Sequence, residues 1–167
     1  MDGDLERSLR EAEDYRQIVE LKSTYCDRCD RTGPGPADAA WGADGVAELF
    51  VEDGLWEAEA LDVRAVGREA IRASFAARRH TAFVSSHNVT NPIIRIDGDT
   101  ARGQWNGIFY SRSATGTQIG FGTYHETYVR TADGWRFRQL RLTITGEGVA
   151  MPSSQDASTP SGPSSSR

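Results

Sequence analysis

The chain is expected to fold as α+β with segregated layers, helices in the first half and antiparallel strands in the second. Two observations carry this. Apolar residues in the first thirty positions recur at helical spacing, as in Ile18, Leu21, Tyr25 and Cys29. From Ala82 onward that period gives way to alternating stretches separated by Gly-containing turns, the pattern of successive hairpins. A strongly curved sheet wrapped around the helices would leave a pocket between the two layers.

The first helix is predicted from about Leu5 to Arg31, with Asp14 able to cap a second segment. At about 100° per residue, Ile18, Val19, Lys22, Cys26 and Cys29 share a face with Tyr25, while Arg16, Glu20, Thr24, Asp27 and Arg28 lie opposite. Asp30 falls roughly 140° from Tyr25, at the edge of the apolar face. It is therefore a partly buried carboxylate. Lys22 is the misfit on this face. Thr32-Gly-Pro-Gly-Pro36 cannot continue a helix and is read as a linker. A short second helix is expected over about Ala37 to Phe50, presenting Trp41, Val46, Leu49 and Phe50. A strand then follows from Leu55 to Ala60, and Gly67 opens a third helix ending near His80.

Four strands complete the domain. Phe83 to Ile96 is long and must bend or bulge at Pro92. Asp97-Gly98-Asp99 turns into Thr100 to Arg112, Ser113 to Gly116 turns into Thr117 to Arg130, and Ala132-Asp133-Gly134 leads into Trp135 to Thr145. One domain is expected over residues 1–148. The tail 149–167 is expected to be disordered, because from Met151 it holds seven Ser, three Pro and no aromatic residue.

Composition narrows the partners. A net charge of −5 and a pI near 5.2 argue against nucleic acid or an anionic membrane surface. No apolar run reaches the length of a membrane span, and the first residues lack the pattern of a signal peptide, so a cytoplasmic location is expected. Cys26-Asp-Arg-Cys29 supplies two thiols but no further pair or His cluster to complete zinc, so neither metal nor organic cofactor is expected. Asn88-Val-Thr90 matches a glycosylation sequon and is read as strand sequence.

Only three histidines are present. His80 ends a helix, where a cation suits the dipole. His125 alternates with Tyr124 and Glu126, and spacing alone does not say which set points inward. His87 shares its side of a strand with Phe83 and Val89, so it is either a core histidine or a base.

Six segments together resemble the SnoaL-like branch of the nuclear transport factor 2-like superfamily, over roughly Asp14 to Thr145. They are Ile18-x-x-Leu21-x-x-x-Tyr25-x-x-x-x-Asp30, Leu49-Phe-Val-Glu-Asp-Gly-Leu-Trp56, Gly67-Arg-Glu-Ala-Ile71, Ser86-His87-Asn-Val-Thr-Asn91, Gly122-Thr-Tyr-His-Glu-Thr-Tyr-Val-Arg130 and Asp133-Gly-Trp-Arg-Phe137. The resemblance implies a cone-shaped barrel of strongly curved antiparallel sheet around three helices, with an internal pocket. It implies catalytic roles for Asp30, His87 and Tyr25, as in bile-acid dehydratases, scytalone dehydratase and hexachlorocyclohexane dehydrochlorinase. The dehydrochlorinase has a lysine where this chain has Tyr25. Trp56 and Tyr124 match pocket-lining positions, which puts Tyr124, Glu126 and Tyr128 inward and His125 outward. Phe109 and Trp105 are further candidates for substrate contact. The second catalytic His of scytalone dehydratase has no counterpart between Asn106 and Tyr110.

The function implied is a cofactor-independent lyase that dehydrates a cyclic, apolar, polyketide- or steroid-like carbonyl or hydroxy compound. A polyketide cyclase or isomerase uses the same proton transfers, and a non-catalytic small-molecule-binding protein would keep the cavity alone. A homodimer or higher homo-oligomer is expected.

Overall fold

The computed structural model describes residues 2–30, 42–78, 84–113 and 116–147. The expectations for Trp41, His80, Phe83 and the tail 149–167 fall outside them. Helix α1 (Asp2–Asp30) is continuous, which corrects the expected break at Asp14. The Asp14 carboxylate is used elsewhere, accepting two hydrogen bonds of 2.6 Å from the Arg130 guanidinium and one from Trp135 Nε1 at 3.2 Å. On the solvent side, Arg16 bridges Glu13 and Glu20 at helical spacing and supports the unbroken run. The inner face buries Ile18, Leu21, Lys22, Tyr25, Cys26 and Cys29, the stripe the period predicted.

Helix α2 is shorter than expected, Ala43–Glu48, because Leu49 caps it and Phe50 already pairs with Phe137 in the sheet. Burial of Phe50 against Phe137, with ring centroids 5.2 Å apart, outweighs one more helical residue. Strand β1 thus runs Phe50–Ala58 and begins five residues before the predicted start. A short β2 (Val63–Val66), absent from the sequence reading, follows a single 3₁₀ turn and Asp62 at φ 52°. Gly67, at φ 84°, makes the left-handed corner into α3 (Arg68–Arg78) at no steric cost.

The long strands are β3 (Val84–Asp97), β4 (Thr100–Ser113), β5 (Gly116–Thr131) and β6 (Gly134–Glu147). Sheet order is β2-β1-β6-β5-β4-β3. The sheet curves but does not close, since β2 and β3 remain edges, so the expected barrel is an open one. It is also not wholly antiparallel: β1 runs parallel to β6. The anticipated irregularity at Pro92 is present. Pairing of β3 with β4 shifts between Thr90 and Ile93, with Asn91 at φ 54°, on an edge strand that tolerates the missing N–H.

One core lies between α1, α3 and the concave face of the sheet, built on Ile18, Val46, Phe50, Ile71, Phe137 and Leu140. The Asp14–Arg130 pair closes its lower end. The Arg130 fork, helped by Trp135, holds the Asp14 carboxyl below its ordinary value of 3.8. A depressed folded-state value means stability that is present above the ordinary value and lost as pH falls through the folded one. Asp14→Asn should therefore melt below the parent at neutral pH, with the gap narrowing as pH drops beneath 3.8. Melts followed by circular dichroism across that range check it.

Candidate active site

The C-terminus of α1 and the start of β3 meet at a paired carboxylate and imidazole. Asp30 Oδ1 lies 2.6 Å from His87 Nδ1, and Asp30 Oδ2 accepts the His87 backbone N–H at 3.0 Å. The carboxylate thereby grips ring and main chain together. A carboxylate acceptor at Nδ1 requires a proton there, so Nε2 is the nitrogen left to act as a base. A negative charge at a helix C-terminus is unfavourable with the dipole, so local helix energetics do not explain Asp30. Both side chains are 26% exposed, reachable but shielded.

Phe109 stands directly opposite His87 in the β3–β4 register, its ring 5.5 Å away. That ring is folded back over Gly107 and Gly122, a cross-strand pair on β4 and β5. A methyl group at Gly107 would come within 2.5 Å of Phe109 Cζ, and one at Gly122 within 3.1 Å of Cε2. Two glycines thus make the slot in which the wall beside His87 lies. Beyond Phe109, at 5.7 Å, is the Tyr124 ring.

The other predicted residues divide. Tyr25 is buried, 6.1 Å from Tyr124 in an edge-to-face contact. Its hydroxyl accepts from Trp56 Nε1 at 3.0 Å and bonds to the Cys29 thiol. Burial pushes the Tyr25 and Tyr124 phenols well above the ordinary value of 10.0, so both are protonated donors near neutral pH. The same cause raises Cys26 to about 11 and Cys29 further, so neither thiol is a nucleophile. Trp56 packs on Phe75 of α3 at 5.0 Å. Trp105 lies lower in the core, where its indole N–H donates to Tyr128 Oη at 3.0 Å. His125 is exposed on the convex face, opposite in parity to buried Tyr124, Glu126 and Tyr128.

Sequence reasoning missed one cluster. Lys22 and Glu126 are both fully buried and bonded at 2.5 Å. The second Glu126 oxygen accepts from the Tyr128 hydroxyl. The Lys22 ammonium also sits 3.1 Å from the Tyr124 ring centroid and 4.7 Å from that of Tyr25. The signal was available as two misfits of opposite charge, Lys22 on an apolar helix face and Glu126 between two inward tyrosines.

Two clefts lie away from Asp30 and His87. One, of about 730 Å³, lies beside the 3₁₀ turn and is lined by Glu57, Arg64, Arg141 and Ile144, among others. Another, of about 520 Å³, crosses the convex face near His125. No group of three or more His, Cys, Asp or Glu side chains suited to a metal occurs among the described residues.

A family model of the SnoaL-like domain matches residues 10–141, most of the chain. The chain belongs to the SnoaL-like family. Among solved structures, it is similar to a candidate scytalone dehydratase from Novosphingobium aromaticivorans, with 21% identity, 85% of this chain and 94% of that one covered, and a TM-score of 0.72. A nuclear transport factor 2-like protein with a cystatin-like fold, also from Novosphingobium aromaticivorans, matches at 23% identity, 86% and 89% coverage and a TM-score of 0.65. A protein of unknown function from Mycobacterium tuberculosis matches at 24% identity, 81% and 73% coverage and a TM-score of 0.69. No curated protein matches the chain. At these identities the structural likenesses establish the fold, and this SnoaL-like chain's chemistry rests on its own residues.

Proposed function

We propose that this SnoaL-like protein is a cofactor-independent acid/base lyase that dehydrates a cyclic, largely apolar carbonyl compound bearing a β-hydroxyl. The observation carrying this is the two-point grip of Asp30 on His87. It holds the ring proton on Nδ1, so that the uncharged ring presents Nε2, the nitrogen a general base requires. His87 Nε2 takes the proton from carbon next to the carbonyl, and the electron pair left behind forms the enolate. Collapse of the enolate makes the carbon–carbon double bond and breaks the carbon–oxygen bond to the hydroxyl. The Tyr25 phenol, turning from the weakly accepting Cys29 sulfur, gives its proton to the departing hydroxide and is reprotonated from the imidazolium. Water is the only other product. Asp30 stabilises the imidazolium while it exists. Trp56, Phe109 and Tyr124 supply aromatic surface for a fused-ring or polyketide-like substrate, with Trp105 packed in the core beneath them.

The test does not need the natural substrate. Incubated in D₂O with cyclic ketones, the protein should exchange their α-protons, and His87→Gln should abolish the exchange. Tight ketone binding with no His87-dependent exchange would contradict the lyase reading and leave a binding protein.

The reading includes a homo-oligomer acting in the cytoplasm. No described helix is long and apolar enough to cross a membrane. The convex face of β4 and β5 exposes Ile108 beside Phe121, with Ile119 next to them. A second copy of the chain burying this apolar face makes the dimer. Light scattering should give twice the chain mass, and Phe121→Asp should return the mass of one chain.

A further inference from the structure

Elimination from a β-hydroxy carbonyl develops charge on two oxygens, the leaving hydroxyl and the carbonyl oxygen that becomes the enolate. One phenol cannot serve both. Tyr25 is held by Trp56 and Cys29, but a second phenol stands against it.

Tyr124 is 1% exposed as a residue, its hydroxyl makes no hydrogen bond to a described side chain, and its oxygen is not sealed from solvent. A phenol open to solvent with no protein acceptor is free to donate to a ligand oxygen, and a bond to a charged oxygen is worth more than one to a neutral group. Its ring is fixed on every side: Phe109 at 5.7 Å, Tyr25 at 6.1 Å and the Lys22 ammonium at 3.1 Å from the centroid. Phe109 in turn bridges the Tyr124 ring to the His87 ring, at 5.7 Å from one and 5.5 Å from the other. A cation over an aromatic face is attracted to the ring and draws electron density from it, which strengthens a phenolic O–H as a donor. Glu126, 2.5 Å behind the ammonium, holds it there, and Tyr128 and Trp105 complete a chain that immobilises the carboxylate.

We propose that Tyr124 is a catalytic residue that donates its hydrogen bond to the enolate oxygen, and that Lys22 with Glu126 is a positioning device that fixes and polarises it. This rests on the acid/base reading above. It assigns the two phenols to two different oxygens and names the substrate feature each requires: a carbonyl for Tyr124 and a β-hydroxyl for Tyr25. No covalent bond to the protein forms, and the Tyr124 proton stays on its own oxygen throughout.

The test uses 2-naphthol at a pH where it is ionised, a planar oxyanion resembling an enolate, against 2-methoxynaphthalene, the neutral ether of the same shape. Calorimetry on the full chain should show preference for the oxyanion. Tyr124→Phe should reduce that preference about ten- to a hundred-fold, the worth of one hydrogen bond to a charged group, and slow ketone exchange in D₂O with little change in ether affinity. The double variant Lys22→Met with Glu126→Gln removes both charges, so the fold survives. It should lower the oxyanion preference with Tyr124 still present, an effect that a purely structural pair would not have. Exchange that depends on His87 but is untouched by Tyr124→Phe would overturn the assignment of Tyr124 alone. An oxyanion preference unchanged in the double variant would overturn the role of Lys22 and Glu126. No exchange by the parent would overturn the acid/base reading itself.

Discussion

Asp30→Asn should lower the rate of α-proton exchange by roughly 10² to 10⁴, the usual worth of a positioned proton transfer, while lowering the melting temperature by only a few degrees. The rate effect follows from the tautomer. Asn presents an amide that can face Nδ1 with either its oxygen or its NH₂ group. In the second orientation the amide donates to Nδ1, the proton moves to Nε2, and the base is lost. In the first, the neutral amide no longer stabilises the imidazolium. The stability effect is small because two opposing contributions change together. A charge-assisted hydrogen bond, about 1.5–3 kcal/mol, is weakened, but the unfavourable charge at the helix C-terminus, about 0.3–1 kcal/mol, is also removed. In the orientation that turns its NH₂ to Nδ1, Asn still accepts the His87 backbone N–H, which ties α1 to β3. For a chain of this size each kcal/mol moves the midpoint by about 2–4 °C. A melt lowered by far more than that, with exchange reduced only in proportion to unfolded protein, would make Asp30 a structural carboxylate.

Lys22→Met should have the opposite balance, with stability falling by about 3–5 kcal/mol because Glu126 is left charged and sealed in the core. Both partners have no exposed surface, and the Tyr128 hydroxyl cannot replace an ammonium as counter-charge. Glu126→Gln alone should cost a similar amount by stranding Lys22 between two tyrosine rings. Adding Glu126→Gln to Lys22→Met should recover much of the loss, since the desolvation cost of both ions disappears with their attraction. Urea unfolding of the four proteins gives the coupling directly. Strict additivity would mean that the ion pair does not hold the core together.

Much of this was legible in the sequence because it depends on period and parity. The inward stripe of α1, the outward His125 and the bulge at Pro92 each follow from spacing on one element, and a resemblance across six segments joined Asp30 to His87 although they lie 57 positions apart. What failed to read depends on competition between elements. The second helix lost Phe50 because a parallel strand partner, Phe137, offered more burial than another helical turn. Val63–Val66 is too short for alternation to declare it a strand. Asp14 looked like a cap because its partners, Arg130 and Trp135, are more than a hundred positions away. Lys22 remained unexplained until the sheet placed Glu126 above it. Within the site, the choice between Tyr25 and Tyr124 as the free donor turns on hydrogen-bond partners, which no spacing rule supplies.

The most direct measurement is the protonation pattern of the His87 ring, read by nitrogen-15 NMR with imidazole-labelled protein near neutral pH. Asp30 gripping Nδ1 predicts a proton on Nδ1, an unprotonated Nε2, and collapse of that pattern to a mixture of tautomers in Asp30→Asn. A parent His87 carrying its proton on Nε2, or a pattern indifferent to Asp30→Asn, would contradict the account.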